Sequence, residues 1–182
     1  MFTRNALILV LVLLAESVFG QQAVKFVHYN VENYLEMNRR QGGRTEFGPK
    51  PESEKKTLVR IIKEIHPDIL GVAEMGPPDQ FEEFQKRLKD AGLEFPFSEY
   101  VNAADPNRHL ALLSRFEIVE RHSEKSLFFD LNGQREAVER GFLDVTIEVN
   151  PSYRLRLVGA PATYRGGAQQ GSERKLARVR RS

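Results

Sequence analysis

The chain has no cysteine. A disulfide framework and any cysteine-based zinc site are therefore excluded. The compartment stays open on that ground, because a secreted protein need not carry disulfides. There is no comfortable membrane span either: the main apolar run, residues 6–14, falls well short of the roughly 20 residues a spanning helix needs. Net charge is small, +2 overall. Arg165, Arg174, Lys175, Arg178, Arg180 and Arg181 stand against Glu173 alone, so the positive excess lies after residue 164 and the body is mildly acidic. A globally basic nucleic-acid-binding domain is not indicated. His28, His66, His109 and His122 have no metal-ligand spacing to one another and read as structural or surface residues. There are no internal repeats.

What is present begins with an N-terminal targeting pattern. Arg4 precedes the apolar run, and Ser17-Val18-Phe19-Gly20 supplies a cleavage-site layout. Residues 1–20 read as a secretory signal peptide, with a mature chain starting near Gln21 and acting in a secreted or periplasmic location. An uncleaved anchor is the alternative. The remaining length suits one domain, 21–160, followed by a basic tail, 161–182, with no sustained apolar period and no structure assigned.

Periodicity predicts the elements of that domain. Val24, Phe26 and Val27 mark a first strand over 23–29, followed by a polar, glycine-containing loop over 36–51. A helix is predicted over 53–66, capped by Ser53, with Leu58, Ile61, Ile62 and Ile65 inward. Lys55, Lys56, Arg60, Lys63 and Glu64 fall on its wet face. A second helix runs from Pro78 or Asp79 to Ala91, with Asp79 and Glu82 at capping-box spacing. Phe81, Phe84 and Leu88 form its apolar stripe and Gly92 its C-terminal stop.

Strands are expected next over 98–102, 109–114 and 117–121, with a turn at 104–108. Residues 141–149 alternate, with Leu143, Val145, Ile147 and Val149 opposite Asp144, Thr146 and Glu148. Residues 153–159 return as a hairpin partner with Leu155 and Leu157 inward. The succession of strand, long loop, helix and strand suits a parallel crossover in a layered α/β protein.

The run Pro67-Asp68-Ile69-Leu70-Gly71-Val72-Ala73-Glu74 organises this pattern. Its apolar content suits a strand buried on both faces. Alone, it favours an ordinary core strand whose Glu74 meets solvent. The other reading is a carboxylate ligand delivered on a rigid support.

Three further segments change that balance. Phe26-Val27-His28-Tyr29-Asn30-Val31-Glu32-Asn33-Tyr34-Leu35 resembles the opening motif of the endonuclease/exonuclease/phosphatase family. That family includes DNase I-like nucleases, abasic-site endonucleases, inositol phosphatases and sphingomyelinases. The Glu74 run resembles its second motif. Arg108-His109-Leu110-Ala111-Leu112-Leu113-Ser114-Arg115 and Arg140-Gly141-Phe142-Leu143-Asp144-Val145 resemble two later strands in the same order.

The resemblance implies a DNase I-like fold, a four-layer α/β sandwich of two mixed β-sheets flanked by helices. It also implies a metal-dependent phosphoesterase, nuclease-like, with Glu74 and Asn30 as the catalytic and metal-binding residues. Arg108 is a candidate contact to substrate phosphate. The cofactor implied is Mg²⁺, with Mn²⁺ or Ca²⁺ as alternatives. The implied substrate is a phosphate ester, such as nucleic acid or a phospholipid headgroup.

The family's later His-Leu-Lys, Gly-Asp-x-Asn and Ser-Asp-His motifs are not found. Pro161-Ala162-Thr163-Tyr164 stands where His-Leu is expected. A frameshift or truncation after Ala160 is the expectation, because degenerate codons for Pro-Ala-Thr-Tyr read two bases later permit x-His-Leu. A divergent tail is the alternative. The domain would then be incomplete, with uncovered sheet edges that imply marginal stability or a need for a partner, though no stable protein partner is identified. Two further functions stay open: a non-catalytic remnant that lacks the activating base, and polyanion binding through the tail.

Overall fold

The computed structural model describes residues 23–160, so the signal segment at 1–20 and the tail at 161–182 lie outside the described residues. The first unit comprises β1 (Phe26–Tyr34), β2 (Met37–Gln41), β3 (Arg44–Gly48), α1 (Glu52–Ile65) and β4 (Ile69–Met75). Next come α2 (Pro78–Asp90), β5 (Phe97–Val101), β6 (His109–Ser114) and β7 (Glu117–Arg121). β8 (Phe128–Leu131), β9 (Gln134–Ala137), β10 (Leu143–Asn150) and β11 (Tyr153–Gly159) complete the order.

β4 owes its place to its apolar run. Ile69, Leu70, Gly71 and Val72 are all buried, as in a strand covered on both faces. It lies inside a mixed sheet of order β1-β4-β6-β5. β1 and β4 run parallel because α1 carries the chain back across the sheet. β4–β6 and β5–β6 are antiparallel. A second sheet, β11-β10-β7, packs on the first. Its pairings among the described residues are antiparallel throughout, since the tight turn at 151–152 joins β10 to β11. Over the described residues the expected sandwich therefore reads as helices, mixed sheet and antiparallel sheet.

Two apolar clusters hold these layers together. Ile69, Val101, Leu110 and Leu112 of the first sheet meet Ile118, Leu143, Val145 and Ile147 of the second. On the other side Leu70, Val72, Ala111 and Leu113 meet Leu58 and Ile62 of α1 and Phe81, Phe84 and Leu88 of α2. β1 and β11 are sheet edges among the described residues, and Phe26 and Val158 stay exposed there. No helix among the described residues is long and apolar enough to cross a membrane.

Local details depart from expectation at the helix starts. Pro51, not Ser53, occupies the N-cap of α1, and no side chain caps it. Pro77 does the same for α2, so Asp79 and Glu82 form no capping box. In both cases a fixed proline φ begins the helix, and Pro78 at its first turn forfeits only an N–H that has no intrahelical partner. The predicted stop holds: Gly92 has φ 86°, and Leu93 N–H donates to the Leu88 carbonyl. The expected loop over 36–51 contains the β2–β3 hairpin, which reverses through Gly42 and Gly43 at φ 57° and 84°.

Lys55 corrects a face assignment. It is 8% exposed rather than wet. Its ammonium donates to both Glu83 oxygens at 3.0 and 2.6 Å and sits 4.9 Å from the Tyr34 ring centroid. Arg87 donates to Glu83 and, with two nitrogens, to Glu52. The network joins α1, α2 and the end of β1. Burial raises the Glu83 pKa, but the hydrogen bonds from Lys55 and Arg87 outweigh it and hold the carboxyl below its ordinary 4.5.

A depressed folded-state pKa gives stability that is complete above the unfolded value and lost as pH falls through the folded one. Glu83→Ala should lower stability at pH 7 by roughly 1–3 kcal/mol, less than for a fully buried pair because Glu83 keeps partial water contact. Denaturant unfolding across pH 3–7 checks this. The variant should also lose less stability than the parent over the acid limb.

Candidate functional site at the ends of two parallel strands

Asn30 of β1 pairs with Ala73 of β4. Beyond that pair both strands leave regular register. β1 takes four residues to reach Tyr34, where β4 takes two to reach its partner Met75. Against β6, β4 takes three residues from Val72 to Met75 where β6 takes two from Ala111 to His109. These irregularities fall at the carboxyl ends of adjacent parallel strands, the place where open α/β sheets bind ligands.

The backbone shows how the extra residues are accommodated. Glu32, Asn33 and Glu74 have φ of 49°, 58° and 61°. Asparagine tolerates the left-handed region; glutamate pays about 1 kcal/mol or more there. The bulge also breaks the alternation of β4. Leu70 and Val72 face the helices and Ala73 faces the other sheet, yet Met75 faces the helices again. Glu74 is the extra residue that lets Met75 do so. It is half-buried, and among the described residues it has no hydrogen-bond or ion-pair partner.

The β1 end is pinned from several directions. The Asn30 side-chain oxygen accepts the Glu32 N–H at 2.8 Å. Arg39 Nη2 donates to the carbonyls of Asn33 at 2.6 Å and Leu35 at 2.9 Å. Lys50, only 6% exposed, donates to the Glu32 carbonyl and to Glu54. Gly76 N–H donates to the Tyr34 carbonyl, and a Cβ at Gly76 would lie 2.3 Å from that oxygen. Only glycine fits so close an approach. Tyr100 closes the β4 side by donating its hydroxyl to the Gly76 carbonyl at 2.9 Å.

Arg108 enters through the expected turn. Asp105 accepts the backbone N–H groups of Asn107 and Arg108 at 2.9 and 3.1 Å. Burial opposes the Asp105 charge, but these bonds and Arg140 outweigh it and hold the carboxyl below its usual range. So fixed, Arg108 Nε donates to the Asn33 side-chain oxygen at 2.7 Å. The next residue, His109, is buried; burial pushes its pKa down, and its ring lies 5.0 Å from that of Tyr100.

The fold thus brings Asn30 and Glu74 to neighbouring strand ends and ties Arg108 to the same turn through Asn33. Asn33, Arg39 and Lys50 had not been singled out from the sequence. Asn33 lies in the quoted opening motif, but nothing in the spacing of Arg39 and Lys50 marks them as latches. Beside Asn30 a groove of about 290 Å³ opens between β1 and α1, bordered by Lys50, Ser53 and Thr57. Among the described residues no group of three acidic or histidine side chains forms a metal cage. The unpartnered Glu74 carboxylate and the Asn30 amide oxygen, which keeps a free lone pair, are hard donors of the kind Mg²⁺, Mn²⁺ and Ca²⁺ accept.

No protein-family model and no curated protein matches the chain. Among solved structures it is similar to TDP2 from Caenorhabditis elegans, at 15% identity and a TM-score of 0.50, over 86% of this chain and 42% of that one. It is also similar to a β-hairpin deletion mutant of beta toxin from Staphylococcus aureus, at 15% identity and TM-score 0.44, over 77% and 51% of the two chains. A third similar structure is sphingomyelinase C from Streptomyces griseocarneus, at 14% identity and TM-score 0.48, over 79% and 50%. The chain spans about half or less of the length of each. The first likeness shows a shared fold, and the fold class of this chain is the α/β sandwich expected from its sequence.

The strain at Glu74 makes a direct prediction. Glu74→Gly should raise unfolding free energy by about 1 kcal/mol, because glycine adopts φ near 61° without steric cost. Glu74→Gln should leave it nearly unchanged. Paired denaturant melts separate the two.

Proposed function

We propose that the chain is a metal-dependent phosphoester hydrolase, nuclease-like, whose metal ligand is Glu74. One observation carries the reading: a carboxylate without a partner is held in a strained conformation at the bulged end of a buried strand, beside Asn30. Strain of this kind persists only where the surrounding structure enforces it, and it clusters at functional sites. The shared fold and the four motifs in order support the same reading.

Glu74 and Asn30 would hold Mg²⁺ through oxygen atoms, the remaining positions being filled by water and substrate phosphate. Bound there, the ion supplies charge stabilisation at the phosphoryl and leaving oxygens. Asn30 orients its amide by accepting the Glu32 N–H, so its NH₂ group is directed and free to donate to a phosphate or to a water. Arg108 keeps its terminal nitrogens for a phosphate oxygen while Nε is anchored on Asn33. The N-terminal segment supports action outside the cytoplasm, in a secreted or periplasmic setting.

The test is hydrolysis of bis(p-nitrophenyl) phosphate by the full chain with and without Mg²⁺, alongside calorimetric titration of the ion. Cleavage should require the ion, and Glu74→Gln should reduce it by about two orders of magnitude. Arg108→Ala should raise KM more than it lowers kcat. Binding of Mg²⁺ without turnover would overturn the hydrolase reading and leave a metal-binding remnant. Turnover unaffected by Glu74→Gln would overturn the ligand assignment.

A further inference from the structure

The β2–β3 hairpin leaves the site turn directly and has two unlike faces. In its register Asn38 stands opposite Phe47 and Arg40 opposite Thr45. Directly opposed residues share a face, so these four lie together and Arg39 lies on the other. On β2 burial agrees, with Met37 and Arg39 half-buried and Asn38 and Arg40 exposed, while on β3 residues 44–47 are all exposed. Phe47, at 70%, is the most exposed large apolar side chain among the described residues.

Its environment separates it from Phe128, the next most exposed phenylalanine. Phe128 already carries the Arg135 guanidinium over its ring at 4.3 Å. Phe47 has no ring or cation contact among the described residues, and Arg40 and Arg44 have no ion-pair partner there. The opposite face fixes the hairpin to the site, through Arg39 and the carbonyls of Asn33 and Leu35. Phe47 pairs with Asn38, three residues past Leu35, which places it about 10 Å along the strand from that anchor.

We infer that Phe47, with Arg40 on the same face, is a stacking platform for a base of single-stranded nucleic acid that flanks the phosphate bound at the metal site of Asn30 and Glu74. The inference rests on the phosphodiesterase reading for the location of that phosphate. An aromatic face accepts any base, and the Arg40 guanidinium meets the backbone charge. The mildly acidic body does not oppose this, because Arg39, Arg40 and Arg44 against Glu46 alone make the hairpin locally basic, and Arg40 shares the face of Phe47. A lipid surface is the less suited occupant: insertion needs several contiguous apolar side chains, and here one ring is surrounded by an amide, a hydroxyl and a guanidinium.

The experiment is fluorescence anisotropy on the full chain carrying Glu74→Gln, with a labelled thymidine 12-mer and an abasic deoxyribose-phosphate 12-mer of equal charge. The thymidine strand should bind about tenfold more tightly. Adding Phe47→Ala should bring the ratio close to one, and Phe47→Tyr should keep it. Arg40→Ala should weaken both strands alike and flatten the salt dependence. A ratio near one before Phe47 is changed, or a ratio that Phe47→Ala leaves intact, overturns the inference. So does Phe47-dependent sedimentation with phosphatidylserine vesicles in place of a base preference. Hydrolysis of the small diester reads the Glu74 site separately, so a chain inactive there still reports its base preference here.

Discussion

A single constraint organises the site: two parallel strands must end together with more residues than regular pairing can hold. The surplus is absorbed by left-handed residues, Glu32 and Asn33 on β1 and Glu74 on β4. Such a conformation does not maintain itself for glutamate. It is enforced by cationic side chains that grip the turn carbonyls, by the close contact of Gly76 with the Tyr34 carbonyl, and by the hydroxyl of Tyr100. The irregular backbone therefore keeps its polar groups satisfied, which a buried turn must do.

The same strand end is also the junction of the packing. Tyr34 contacts Phe84 in the helix-side core and donates to Glu83, whose other partners come from both helices. Burial, with Glu83 next, pushes the Tyr34 phenol well up, so it stays a neutral donor. The site turn is thus continuous with the α1–α2 interface. Displacing either helix would release Tyr34, whose carbonyl receives the Gly76 N–H at the site turn.

Much of this architecture was legible beforehand. β6, β7 and β11 coincide with their predicted limits, because apolar runs bounded by turn residues leave little freedom. The β10 face of Leu143, Val145, Ile147 and Val149 is buried as its alternation implied. Two hairpins were not read. β2–β3 was hidden by its polar composition, since neither strand contributes to a core. β8–β9 turns through Asn132-Gly133, both at positive φ, a hairpin signal that the sequence carries in those two residues alone. Lys55 was misplaced because helical periodicity locates a residue on a face but does not say which carboxylate another helix will bring to it.

What the sequence by itself determined is the order of elements, the apolar faces and the identity of Glu74, Asn30 and Arg108 as residues worth following. The elements and faces depend on neighbours within a few positions along the chain, and the three residues on the resemblance carried by four segments in order. Only the tertiary structure decided that β1 and β4 bulge at the same level, that Arg108 reaches Asn33 across 75 positions of sequence, and that Arg39 and Lys50 are latches. Register shifts and long-range hydrogen bonds are set by which strand ends and loops share space, and no local pattern of residues records that.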